Sequence, residues 1–139
     1  MSDFEAVEAK VRGSFGRQTM MQTLGATMQV VEPGRVVITA PIGAHVRQQQ
    51  GAAHAGMTFA IGDSAAGFAA LTLMPAEAEV MTVEMKINLM APGIGDRLVA
   101  EGRVIRAGRR ITVVTAEVRA EAEGAERTVA LLQGTMIPV

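Results

Sequence analysis

Between His54 and Met74 the chain carries a single formal charge, that of Asp63. A run this apolar is about long enough to cross a bilayer. Glycines, Thr58, Ser64 and Thr72 dilute it, however, and a carboxylate at the bilayer centre costs several kcal/mol. The run therefore reads as a helix buried inside a soluble fold, ending by Pro75. A helix apolar on every side has to be covered on every side.

The flanking sequence supplies the cover. Residues 2–12 mix acidic, basic and apolar groups without proline and predict a short amphipathic helix, with Gly13, Gly16 and Gly25 breaking the region after it into turns. Gln29 to Val31 and Arg35 to Ala40 predict two strands about the turn Glu32-Pro33-Gly34. A loop from Pro41 to Ala53 leads into the apolar helix. After it the period changes to two: Met81, Val83, Met85, Ile87 and Leu89 alternate with Thr82, Glu84, Lys86 and Asn88, the pattern of a half-buried strand. Leu98 to Ala107, Ile111 to Glu121 and Thr128 to Ile137 predict three more strands, the first two joined by Gly108-Arg109-Arg110. Short connections favour an antiparallel meander of the four strands after the helix. The expected class is α+β, with about six strands in one curved antiparallel sheet wrapped round a long apolar helix and closed by a partner subunit.

With 139 residues the chain is expected to form one domain over residues 1–139. Lys and Arg number 13 against 14 Asp and Glu, so there is no broad electrostatic footprint for nucleic acid or a membrane surface. The absence of cysteine removes disulfides, thiolate nucleophiles and cysteine metal sites. The opening Met-Ser-Asp-Phe-Glu lacks the basic and then apolar run of a signal peptide, and a cytoplasmic protein is the expectation.

Asp63 is the most informative residue. It interrupts an apolar helix, where a carboxylate costs several kcal/mol unless paired or hydrogen-bonded. It is either functional or a structural group turned to a solvent channel or subunit seam. His54 precedes it by nine residues, about 13 Å of helical rise, so the two meet only if a second subunit brings them together. The helix start is itself chemically suited: free N–H groups of Ala55 and Gly56, with the positive end of the helix dipole behind them, would receive a developing oxyanion. Ser64 lies in no nucleophile-elbow pattern, and His45 and His54 offer no metal spacing. Arg109 and Arg110 either meet phosphates or are merely solvated at a hairpin tip.

From about Gln48 to Met136 the chain resembles the hotdog-fold acyl-CoA thioesterases of the phenylacetate-degradation, or PaaI-like, type. The residues carrying the likeness are Gly51-Ala-Ala-His54-Ala-Gly56 followed by Ala60-Ile-Gly-Asp63-Ser-Ala-Ala-Gly67, and then Val83 to Asn88, Pro92, Gly102 to Arg106 and Ala107-Gly108-Arg109. The resemblance implies that Asp63 is the general base or nucleophile, that the Ala55 N–H polarises the thioester carbonyl, and that His54 orients the turn. It makes Gln48 the side chain that helps hold this region and Thr82 a hydroxyl that can hold the attacking water. It places carboxylate and carbonyl site on different subunits of a homodimer or dimer of dimers. It calls for an acyl-CoA substrate and neither metal nor other cofactor. Arg109 and Arg110, with Gly56, complete the expected substrate-binding set. Ala55 stands where the family usually has glycine, so its methyl narrows the approach of the thioester. The rival expectations are an acyl-CoA-binding module without turnover and a dehydratase or hydratase on the same fold. The latter calls for a paired histidine and carboxylate in an Asp-x-Asn-x-x-His pattern that this chain lacks.

Overall fold

In a computed structural model, residues 2–139 are described. Helix α1 spans Asp3–Gly16 and α2 Thr19–Thr23; strands β1, Thr27–Glu32, and β2, Arg35–Pro41, follow, with a 3-10 turn over Ala44–Val46. Helix α3 spans Ala55–Leu71, and four strands come after it: β3, Val80–Leu89; β4, Arg97–Ala107; β5, Thr112–Ala122; β6, Ala125–Pro138. All six strands join one antiparallel sheet in the order β1-β2-β4-β5-β6-β3, as the α+β reading predicts.

Two expectations are corrected. The N-terminal helix runs on through Gly13 to Gly16 rather than ending near residue 12. Tertiary contacts outweigh the glycine penalty: Val11 is fully buried, and the Lys10 ammonium donates to the carbonyls of Pro75, Ala76 and Ala78. The meander, too, has three strands and not four. β4 pairs with β2 on one side and β5 on the other, leaving β3 to pair with β6 at the far edge. A short connection does not compel adjacency here. Residues 90–96 can reach roughly 23 Å, and crossing three strand spacings takes only about 14 Å.

The sheet closes on α3 from one side. Ile38, Leu98, Val114, Val118 and Met136 are fully buried with Ile61, Ala65, Ala69 and Leu71 of the helix. Each fully buried Ile, Leu or Val contributes about 1.5–3 kcal/mol relative to exposure. The approach is closest at Gly102 of β4, where an added Cβ would stand 2.3 Å from the carbonyl oxygen of Ala65.

One irregularity in β3 decides what faces the helix. Thr82 pairs with Met136 and Glu84 with Thr135, so Val83 is an extra, bulged residue. Gly134 of β6 makes room: a Cβ there would meet the Glu84 carbonyl oxygen at 2.4 Å. Because a bulge inverts the alternation, Val80 and Thr82 turn inward before it and Met85 and Ile87 after it. Strict period-two reading puts Thr82 on the opposite face from Met85. The bulge reverses that, and it leaves Met81 and Val83 exposed instead.

Gly102→Ala tests the contact on which the packing depends. Overpacking against a helix backbone should cost at least about 1–3 kcal/mol. In a thermal melt the midpoint should fall by roughly 5–10 °C, and an unchanged midpoint would show that the helix does not press on β4 as described.

Candidate active site

Eleven of the 17 residues of α3 are buried, and those left open form a single stripe. Ala55, Gly56, Phe59, Ala60, Asp63 and Ser64 recur at intervals of about four, which lines them up on one face. The covering that the apolar sequence demands is thus complete along the C-terminal half and absent from this stripe.

Asp63 is half-buried in the middle of α3, and its Oδ1 accepts a hydrogen bond from the Thr82 hydroxyl at 2.8 Å. The Met136 sulfur, 3.2 Å from the same hydroxyl, is the weaker competing acceptor. Burial pushes the Asp63 carboxyl above the ordinary carboxylate range, while the Thr82 hydrogen bond opposes the rise by favouring the ionised form. The carboxylate opens on a cleft of about 510 Å³ walled by Arg17, Gln18, Met20, Met21 and Phe59. A smaller recess of about 110 Å³ lies on its other side, with Ser14, Gln18, Glu79 and Thr82. Gln18, which accepts from the Ser64 hydroxyl at 3.4 Å, borders both. None of Gln18, Met20 or Phe59 is marked out by the sequence reading. Phe59 carried a usable signal, since it stands four residues from both Ala55 and Asp63; the α2 residues carried none.

The helix start is built differently from expectation in one respect. His54 is the N-cap, and its Nδ1 accepts the Gly56 N–H at 2.8 Å. The neutral ring then carries its proton on Nε2. The Gly56 N–H is therefore not free, because the histidine side chain reaches it first. Met57 and Thr58 donate to the His54 carbonyl. Ala55, the first helical residue, keeps an exposed N–H with no partner among the described residues.

A second cleft, of about 560 Å³, brings Gln48 together with Ala55, Thr58, Leu89, Met90 and Pro92. Gln48 sits in a tight turn: its N–H donates to the Ala52 carbonyl at 2.8 Å, its carbonyl accepts from Gly51 at 3.0 Å, and its side-chain oxygen accepts from the Gln50 N–H. The structure thus brings Gln48 to Ala55 and Thr82 to Asp63 while keeping the two pairs apart. Ala55 and Asp63 are separated by about 12 Å of helical rise. Arg109 and Arg110 reach neither pair within one chain. Both are exposed and line a shallow surface groove with Arg106 and Ile111. Their hairpin does lie at the Thr82 end of the sheet, since Thr112 pairs with Met136 and Met136 with Thr82. Among the described residues no three His, Asp or Glu side chains are grouped as metal ligands, and no helix is long and apolar enough to cross a membrane.

The raised Asp63 pKa has a stability consequence whose sign is definite. Folding favours the protonated carboxyl, so its contribution is fully present at low pH and is lost as pH rises through the folded-state pKa. Asp63→Asn removes that titration while keeping an acceptor for Thr82. The difference in thermal midpoint, variant minus wild type, should grow as pH rises from the ordinary carboxylate range toward neutrality. A pH series of melts showing a flat or falling difference would contradict the burial described.

Residues 50–126, more than half of the chain, match the family model of the thioesterase superfamily. A curated protein of Saccharolobus solfataricus, named in the esterase class, is 34% identical over 94 residues, which span 68% of this chain and 66% of that protein. The crystal structure of a thioesterase family protein from Silicibacter pomeroyi is 41% identical, superimposes with a TM-score of 0.94, and is matched over 96% of this chain and 98% of that one. A variant of the phenylacetic acid degradation protein PaaI from Thermus thermophilus is 28% identical with a TM-score of 0.76, over 88% of this chain and 100% of that one. With this fold and this match, the chain belongs to the thioesterase superfamily, and it is a thioester hydrolase of the hotdog, PaaI-like type.

Proposed function

We propose that this protein hydrolyses acyl-CoA thioesters to the free acid and CoA, at sites shared between two copies of the chain. The observation that carries the reading is the Asp63 carboxylate, held by Thr82 on the one open stripe of an otherwise buried helix, eight residues from the unpartnered N–H of Ala55. In this reading Asp63 takes a proton from water as that water attacks the thioester carbon, or attacks the carbon itself. The Thr82 oxygen keeps lone pairs free to accept from the water while its hydroxyl donates to Asp63. The Ala55 N–H, at the positive end of α3, stabilises the tetrahedral oxyanion. Collapse of that intermediate breaks the C–S bond. The proton taken up by Asp63 passes to the sulfur and CoA leaves as the thiol; where Asp63 itself attacked, water hydrolyses the anhydride left on it and supplies the thiol's proton.

The sheet topology supports a shared site. β3 is an edge strand of ten residues carrying exposed Met81, Val83 and Leu89, an edge that invites pairing. Thr82 and Asp63 lie at one end of β3, and Leu89 with Ala55 at the other. Antiparallel pairing of β3 with its own copy would set the Asp63 end of one chain beside the Ala55 end of the next. The two halves would meet twice per dimer. A dimer of dimers would stack such pairs, and Arg106, Arg109 and Arg110, which have no acidic partner among the described residues, would meet the CoA phosphates.

Two measurements test the chemistry. Thr82→Val removes the hydrogen bond that favours the ionised carboxylate, so the acid limb of the pH profile of kcat/KM should move to higher pH. An unmoved limb would mean that Asp63 is not the titrating base. Asp63→Asn should lower turnover by about 10²–10⁴-fold, the range for a lost general base; a wild type that binds acyl-CoA and releases no thiol is instead a binding module. Ala55→Pro deletes the other half of the site at a first helical position, where proline is tolerated. Each homodimer should be nearly inactive. Mixed dimers should recover toward half of wild-type activity, because one of their two sites is then unmutated. No recovery, with heterodimers confirmed by mass spectrometry, would refute the shared site.

A further inference from the structure

Phe59 stands midway along the open stripe of α3, four residues after Ala55 and four before Asp63. Its ring is 36% exposed. Beside it Met20 of α2, 59% exposed, and the buried Met21 wall the cleft into which Asp63 opens. Large apolar side chains held in water next to a reactive carboxylate gain free energy only when something apolar covers them. An acyl chain whose carbonyl sits at Asp63 can extend into the cleft that Phe59 and Met20 wall.

We infer that Phe59, together with Met20, is the wall that selects the acyl group, and that the group it takes is a flexible aliphatic chain. This rests on the thioesterase reading above and adds the substrate class to it. Among the described residues, the charged groups lining the cleft are Asp63 and Arg17, and the Arg17 guanidinium reaches to Glu79 at 4.0 Å, so a neutral acyl group is favoured. An aromatic acyl group would be held best between aromatic faces. In this cleft Phe59 is the one ring among the described residues; Phe68 borders only the smaller recess beside Asp63, where it is buried and packed edge-on against Phe15 with centroids 6.2 Å apart. Met20 and Met21 are the other large apolar side chains of the cleft, and their unbranched thioethers adapt to a chain of variable shape. A short acyl group covers little of this wall, so it depends less on Phe59 and Met20 than a longer chain does.

The test pairs hydrolysis of acetyl-, hexanoyl-, octanoyl- and phenylacetyl-CoA with calorimetric binding of S-octyl-CoA, a thioether that cannot be cleaved. Wild-type kcat/KM should rise from acetyl to octanoyl, with phenylacetyl below octanoyl. In Phe59→Ala the octanoyl-to-acetyl ratio of kcat/KM should fall roughly tenfold, the scale on which apolar pocket contacts discriminate. S-octyl-CoA should bind correspondingly more weakly while free CoA binds as before. Phe59→Leu, which keeps an apolar side chain, should retain most of the ratio, and Met20→Ala on the other wall should shift it in the same direction. Equal losses for acetyl and octanoyl, accompanied by a weaker dimer in light scattering, would show that Phe59 and Met20 seal a contact between copies, and would overturn the inference. So would a preference for phenylacetyl-CoA or a wild type indifferent to chain length. A protein that cleaves none of the four yet binds S-octyl-CoA in a Phe59-dependent way would refute the thioesterase reading and leave the acyl wall standing.

Discussion

The helix Ala55–Leu71 cannot remain in water, and the rest of the chain is arranged to remove it. Its C-terminal half, from Ala65 to Leu71, is buried without a gap. Five of the six strands and α1 contribute to the buried cluster around it. Glycine at position 102 is what lets β4 come close enough to close over Ala65. Burial of this helix is the dominant favourable term available to a chain with no disulfide and few aromatic side chains.

The N-terminal half of the same helix is where that logic stops. Asp63 brings a desolvated carboxylate to the boundary, and Thr82 is its only hydrogen-bond donor among the described residues. The donor is available because Val83 bulges out of β3 and Gly134 makes space for the bulge. A strand in perfect alternation would present Thr82 to the other face. The chain accepts an irregular edge strand and exposed Met81 and Val83, and in exchange a desolvated carboxylate is held by one hydrogen bond that offsets only part of the burial penalty on its charge. For the proposed reaction the direction matters, because a raised pKa makes the carboxylate the better proton acceptor.

The apolar helix, the strand turns and the place of Asp63 as the lone charge on that helix were legible in the residues, because each rests on local pattern. A charge within an uncharged helix is visible without coordinates, as is the period-two run from Met81 to Leu89. The wall formed by Met20 and Phe59 was not legible, since α2 and α3 meet only in the fold, where Gln18 at the start of α2 accepts from Ser64 of α3. The freedom of the Gly56 N–H was misjudged for a similar reason: whether a histidine caps or points away depends on its rotamer, and His54 turns its Nδ1 onto Gly56. The continuation of α1 past Gly13 depends on Lys10 and three carbonyls more than 60 residues away in the chain.

By itself, then, the sequence determined what had to be buried and which carboxylate would be out of place there, because hydrophobic periodicity and an isolated charge are properties of neighbours along the chain. It also determined that Ala55 and Asp63 could not meet within one helix, since helical rise follows from spacing alone. Only the tertiary structure decided which strand lies at the edge, because seven residues can span three strand spacings and the choice between partners falls to the sheet as a whole. It alone decided that Thr82 faces Asp63, because a one-residue bulge reverses a strand's faces and leaves no mark in the alternation of the sequence.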